Sequence, residues 1–195
     1  MSAVSVAVIC ILIASSTVVE NGGDGEGTVR LRPMQPIGRK LVADGLKRSG
    51  TFRRLVRELD RSDLIVYVDV RADMASHLVG SLRFAARSTT HRFLTISLNR
   101  HYDQPTLIAF LGHELQHANE VAGARDVNSA EDLRAFYQRI GFRVGRNAYD
   151  SREAQAAGQI VRKELRRGSP ALLAERHVSL DRILLGSGSI EANER

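Results

Sequence analysis

The sequence predicts an α+β protein, because the spacing of its apolar residues changes from a helical period to a strand period and back. Two alternating runs around a short polar turn predict an antiparallel hairpin: Leu82, Phe84 and Ala86 share one face, and Leu94, Ile96 and Leu98 share another. Pro105, Asn128-Ser-Ala-Glu131 and Asp150-Ser-Arg-Glu153 then mark the starts of three successive helices. A small, mostly antiparallel sheet packed on helices is expected.

Residues 1–19 carry no charged side chain, and Ala3 to Ala14 is nearly all apolar. This reads as an export signal or membrane anchor. Its strongly apolar part is about 12 residues, short of the ~20 that span a bilayer. The only cysteine, Cys10, lies inside it, so disulfides and thiolate metal sites are excluded from the rest of the chain. Residues 20–36 read as a linker, with NGGDGEG at 21–27 and an extended stretch from Arg30 to Pro36.

A single domain is expected over residues 37–167. Two helical pieces, 38–47 and 51–59, break at Ser49-Gly50 and turn Leu41, Phe52, Leu55, Val56 and Leu59 inward. Leu64 to Val70 is a β-branched run suited to a buried strand. The hairpin follows, and then a helix from Pro105 to about Ala122. The second helix should bury Leu133, Phe136, Tyr137 and Ile140, and the third should run to about Arg167. Residues 168–195 read as a partly disordered tail with a weak helical segment at Ala171–Arg176.

Composition narrows the function classes. With 43% hydrophobic and 26% charged residues, the 195-residue chain can bury a core without staples. The net charge of +6 comes from scattered arginines, with Lys only at 40, 47 and 163 and no Trp. No run or motif for nucleic acid accompanies it, so a nucleic-acid partner is not expected. The basic balance favours anionic substrates or membrane surfaces in general terms.

The chemistry is concentrated in His113-Glu114-Leu115-Gln116-His117, an HExxH pattern. At about 3.6 residues per turn, positions i and i+4 stand one above the other, so both imidazoles can reach one metal ion. Glu114 sits about 100° round the helix, where it can act as general base on a water at the open metal position. The motif lies well inside a helix, among uncharged neighbours. Leu107, Leu111, Leu115 and Ala118 form a separate stripe that can anchor it to the sheet. A pair of surface histidines is the bland alternative. A di-iron carboxylate site would need a second Glu-x-x-His, which the sequence lacks.

A catalytic zinc needs a third protein ligand. Glu120 is poorly placed for this, since it lies about 10.5 Å along the axis from His113 with His117 between. A hydrogen bond from Glu120 to an imidazole or a neighbouring helix suits it better. Glu153, with Ala154, Ala156 and Ala157 beside it to allow close approach, is the leading candidate, and Asp150 is the runner-up. Both residues could instead serve only to cap the third helix.

On these residues the chain resembles the zincin metallopeptidases, in particular minimal single-domain gluzincins, over roughly residues 64–167. The resemblance implies a zincin-like fold, a bound zinc, and a later glutamate helix supplying Glu153 as third ligand to His113 and His117. It implies hydrolysis of peptide bonds in a peptide or protein substrate, which would pair with an edge strand, here Phe93–Leu98. It also implies a tyrosine or histidine near the oxyanion, for which Tyr149, Tyr137 and His177 are candidates. His77, His91 and His101 read as ordinary loop or core residues. With the N-terminal segment, the expected location is periplasmic or extracellular, with membrane attachment through that segment as a variant. Two other functions compete: a zinc-site binding or scaffold protein without catalysis, and a basic nucleic-acid-binding module with a chance HExxH.

Overall fold

The computed structural model describes residues 30–145 and 148–167. The export segment at 1–19, linker positions 20–29, the tail at 168–195 and His177 lie outside the described residues.

The elements in chain order are β1 (Leu31–Pro33), α1 (Pro36–Arg48), α2 (Gly50–Leu59), β2 (Leu64–Arg71), β3 (Gly80–Arg87), β4 (Arg92–Asn99), α3 (Gln104–Gly123), α4 (Ala130–Ile140), β5 (Phe142–Gly145), β6 (Ala148–Asp150) and α5 (Arg152–Arg167). The α+β class and the β3–β4 hairpin are as expected. Leu31–Pro33, at the end of the expected linker, is instead a short strand paired with β2.

The expected antiparallel character of the sheet is corrected. Its strand order is β1-β2-β4-β3. The β1–β2 and β2–β4 pairs are parallel, and only β3–β4 is antiparallel. The cause lies in the connection. Residues 72–79 carry the chain past a strand's place to lay down β3 on the outside, and β4 returns between β2 and β3. Phe93–Leu98 therefore lies in the sheet interior, paired on both sides, and cannot be the edge strand. β3 is the edge on that side.

Helix α3 is the centre of the domain. From Leu107 to Ala118 every residue but Gln116 is buried. A helix apolar around most of its circumference must be covered on most sides, and here the sheet covers one side while α1, α2 and α5 cover others. Two glycines set the closest approach. A Cβ on Gly112 would lie 2.9 Å from Val161 Cγ2 of α5, and one on Gly158 would lie 3.1 Å from His113 Cβ. Glu164 of α5 accepts hydrogen bonds from Ser49 Oγ and from Thr51 N and Oγ1 at the start of α2. Ser49 in turn caps α2 by accepting from Phe52 N. One residue expected inside is not: Ile140 is 45% exposed, because α4 ends there and its inner face stops at Tyr137.

Arg92 secures the far end of α3. Its buried guanidinium forms a two-point pair with Asp63, through Nε and Nη2 at 2.8 Å each. Its Nη1 donates to the carbonyls of Val121, Ala124 and Val127. Val121 lies in the last turn of α3, Ala124 is its C-terminal cap and Val127 follows in the loop, so the guanidinium sits at the negative end of the helix. Arg92→Met should lower unfolding stability by about 3 kcal/mol, the scale for breaking a buried hydrogen-bonded charge. Asp63→Asn should cost about 1 kcal/mol, since Asp63 is partly exposed. Urea denaturation of both variants checks this, and a loss below about 1 kcal/mol for Arg92→Met would refute the clamp.

Candidate metal centre

The HExxH residues lie on the middle turns of α3, as their periodicity requires. The ring centroids of His113 and His117 are 4.8 Å apart. His113, Glu114 and His117 are all buried. The carboxylate that meets them belongs to Asp150, the last residue of β6. Asp150 Oδ1 lies 3.2 Å from Nε2 of His113 and 3.2 Å from Nε2 of His117. One ligand atom from each of the three residues lies within 4.8 Å of the others.

Glu153, the expected third ligand, is not part of this cluster. It is exposed on the first turn of α5. The reason is a shift of one residue in the helix cap. Ser151, not Asp150, is the capping residue: its Oγ accepts from Ala154 N, and its carbonyl accepts from Gln155 N. Glu153 is thereby the second helical residue and points outward, while Asp150 lies ahead of the cap, free of helix duty. Two contacts hold Asp150 in place. Its Oδ1 accepts from Ser151 N at 2.8 Å, and its Oδ2 accepts from Gln155 Nε2 at 2.9 Å. The same shift occurs at α4, where Ser129 rather than Asn128 caps the helix by accepting from Asp132 N.

Glu120 supports the centre from behind. Its Oε2 lies 3.0 Å from His117 Nδ1, which leaves Nε2 directed at Asp150. Ser151 Oγ donates to Glu120 Oε1 at 2.6 Å, and Tyr137 Oη donates to Glu120 Oε2 and to the His117 carbonyl. Tyr137 is thus committed to this support, with its ring edge-on to His117. Tyr149 is half-buried, and its hydroxyl accepts from Gln138 Nε2. His77, His91 and His101 lie outside the cluster. His91 belongs to the β3–β4 turn, and His101 Nε2 contacts the Ala72 carbonyl.

The electrostatics follow from this packing. Burial works against the charged form of His117, but the carboxylates of Asp150 and Glu120 outweigh it and raise its pKa to about 9. Burial also works against ionised Asp150, yet the two imidazoles hold its pKa well below the usual range. Glu120 is lowered in the same manner, chiefly by His117 against the cost of burial. Glu114 goes the other way: burial raises its pKa, and the two histidines offset this only in part.

The donor set fits a divalent metal. Although both Nε2 atoms lie close to Asp150 Oδ1, neither has hydrogen-bond geometry to any partner. The three ligand atoms lie within 4.8 Å of one another. A tetrahedral zinc with bonds of about 2.1 Å separates its ligand atoms by roughly 3.4 Å, which matches the two 3.2 Å separations. Comparison with known protein families, curated proteins and solved structures finds no match to this chain. The site therefore stands on its own geometry.

For zinc at this centre, Glu153→Gln should leave affinity within about twofold of the parent. Glu120→Gln should weaken it by roughly 10–100-fold, the usual range for a group that orients a ligating histidine. Asp150→Asn should weaken it more than either. Competition against a chromophoric chelator gives all three numbers, and the order Glu153 above Asp150 would refute the assignment.

Proposed function

We propose that the chain is a zinc-dependent hydrolase of the zincin type that cleaves peptide bonds, with His113, His117 and Asp150 as the metal ligands and Glu114 as the general base. The observation that carries this reading is the position of Glu114. It is fully buried, and neither of its carboxylate oxygens has a hydrogen-bond partner. A structural metal site has no use for a fourth, unpaired carboxylate beside three ligands, and a hydrolytic site needs one. This favours the enzyme over a binding or scaffold protein built on the same metal site.

A zinc held by His113, His117 and Asp150 would supply Lewis acidity toward a water and a substrate carbonyl. Glu114 takes the proton of the attacking water and passes it to the leaving amine. Its raised pKa suits both halves of that transfer. Glu120, through its contact with Nδ1, keeps the His117 imidazole aimed. The peptide specificity rests on the zincin resemblance and on the placement of β3. A Cβ on Gly80, the first residue of that edge strand, would lie 3.2 Å from Glu114 Oε1. An extended substrate pairing with β3 as far as Gly80 would pass next to the base. The ligand set departs from the gluzincin form of the family, because α5 contributes the Ser151 cap and the Gln155 contact but not the metal ligand. Export through residues 1–19 belongs to the same proposal. No helix among the described residues is long and apolar enough to cross a membrane.

Purified protein should hold about one zinc per chain, measured by elemental analysis, and should cleave unstructured peptides in a chelator-sensitive way. Glu114→Gln should retain the zinc while turnover falls by roughly 10² or more. Unchanged turnover in a zinc-loaded Glu114→Gln protein would sink the proposed chemistry. Absence of zinc from protein grown in zinc-supplemented medium would sink the metal centre.

A further inference from the structure

A second polar cleft lies at the other end of the sheet, where α2 ends, β3 turns into β4 and α3 terminates. Its volume is about 520 Å³, and no residue of the metal centre lines it. Arg61 in the α2–β2 turn, Arg87 at the end of β3 and Arg125 in the α3–α4 loop line it. None of these guanidinium groups donates a hydrogen bond or forms an ion pair among the described residues; Arg125 acts on Asp63 only through its field. The acidic residues in the lining are already engaged, Glu58 by Arg54 and Asp63 by Arg92. Beneath them, the buried Arg92 has every nitrogen committed. The lining therefore presents three unspent cations and no unspent anion.

The turn beside the arginines is preformed. Ser88 Oγ accepts from Thr90 N and His91 N, and Ser88 N donates to the His91 carbonyl. Thr89 at the tip keeps its hydroxyl free for a ligand. Guanidinium groups and a hydroxyl arranged around a rigid turn offer donors and no strong acceptors, which suits an oxyanion with several acceptor oxygens and a charge near −2.

We propose that this cleft is a binding site for a phosphate-type oxyanion, held by Arg61, Arg87 and Arg125. The ligand is either a free phosphate or phosphomonoester, or the phosphate of a lipid headgroup. The cleft is independent of the hydrolase reading, because none of its residues takes part in the metal centre.

The test is calorimetric titration of the full chain with inorganic phosphate, with chelator present so that the metal centre does not contribute. A triple variant, Arg61→Gln, Arg87→Gln, Arg125→Gln, is titrated alongside. These side chains are exposed and without internal partners, so the variant should unfold at the same urea midpoint. The expected result is one saturable site in the parent, weakened at least about tenfold in the variant and weakened in both by added salt. Co-sedimentation with phosphatidylcholine vesicles containing phosphatidic acid identifies the source. Parent sedimenting and variant staying in solution points to the headgroup; phosphate binding without sedimentation points to the soluble ligand. No saturable phosphate binding, or equal binding by parent and variant, overturns the proposal.

Discussion

Burying two imidazoles and two carboxylates in the middle of a hydrophobic core is the constraint on which this structure depends. Left unpaired, each such group costs several kcal/mol on transfer from water. The cost is tolerable only if the charges face one another and the outer ring atoms are satisfied. The chain meets the second condition in full at His117, where Glu120, Tyr137 and Ser151 close a network around Nδ1. It meets the first by bringing Asp150 to both histidines. The centre thus draws α3, α4 and the β6–α5 junction together, and it explains why a two-strand ribbon of β5 and β6 with little core of its own holds its place.

The rest of the architecture follows from keeping α3 covered. The sheet seals one side, and α5 crosses closely enough that a Cβ on Gly112 would press on Val161 and one on Gly158 on His113. At the end of the helix Arg92, from a strand, adds a donor to the carbonyls of Val121 and Ala124. The parallel pairing of β2 and β4 belongs to the same plan. With β4 inside the sheet, α3 packs on β2, β4 and the edge strand β3, and β3 meets Glu114 at Gly80.

What was legible in the sequence was local. The HExxH pattern, the stripe at Leu107, Leu111, Leu115 and Ala118, and the alternation in β3 and β4 each arise from neighbours within a few residues, so period alone reveals them. The sheet order was not legible, because the pairing of Leu64–Arg71 with Arg92–Asn99 spans an intervening strand and leaves no mark in either segment. β1 was hidden by its length and by Pro33, which suits an extended edge as well as a linker. The carboxylate that meets the two histidines lies in the segment Asp150–Glu153, but at the opposite end from Glu153. Asp150-Ser-Arg-Glu153 can open a helix with either Asp150 or Ser151 as its cap. The two choices exchange which carboxylate faces inward, and only the packing of α5 against His113 selects Ser151. The support from Tyr137 had a signal in its inward-facing position on α4, but nothing in the sequence pairs that hydroxyl with Glu120.

The proposed reading of the centre as reactive rests on Glu114. Its neighbours account for its burial but do not satisfy it: no donor reaches either oxygen, and the imidazoles that lower its pKa present their rings to Asp150 instead. A residue kept there for stability alone would be better replaced by an apolar side chain of similar size, since α3 is otherwise packed with leucine, phenylalanine and alanine at this depth. The unpaired Nε2 atoms of His113 and His117 show the same imbalance on the other side of the cluster. One divalent ion with its water would answer all of these atoms at once: the nitrogens by coordination, the carboxylate by a hydrogen bond from the water. A proton shared between Asp150 and one histidine answers at most one of the nitrogens and leaves Glu114 as it is. The economy of that single explanation is the physical case for the proposed metal centre.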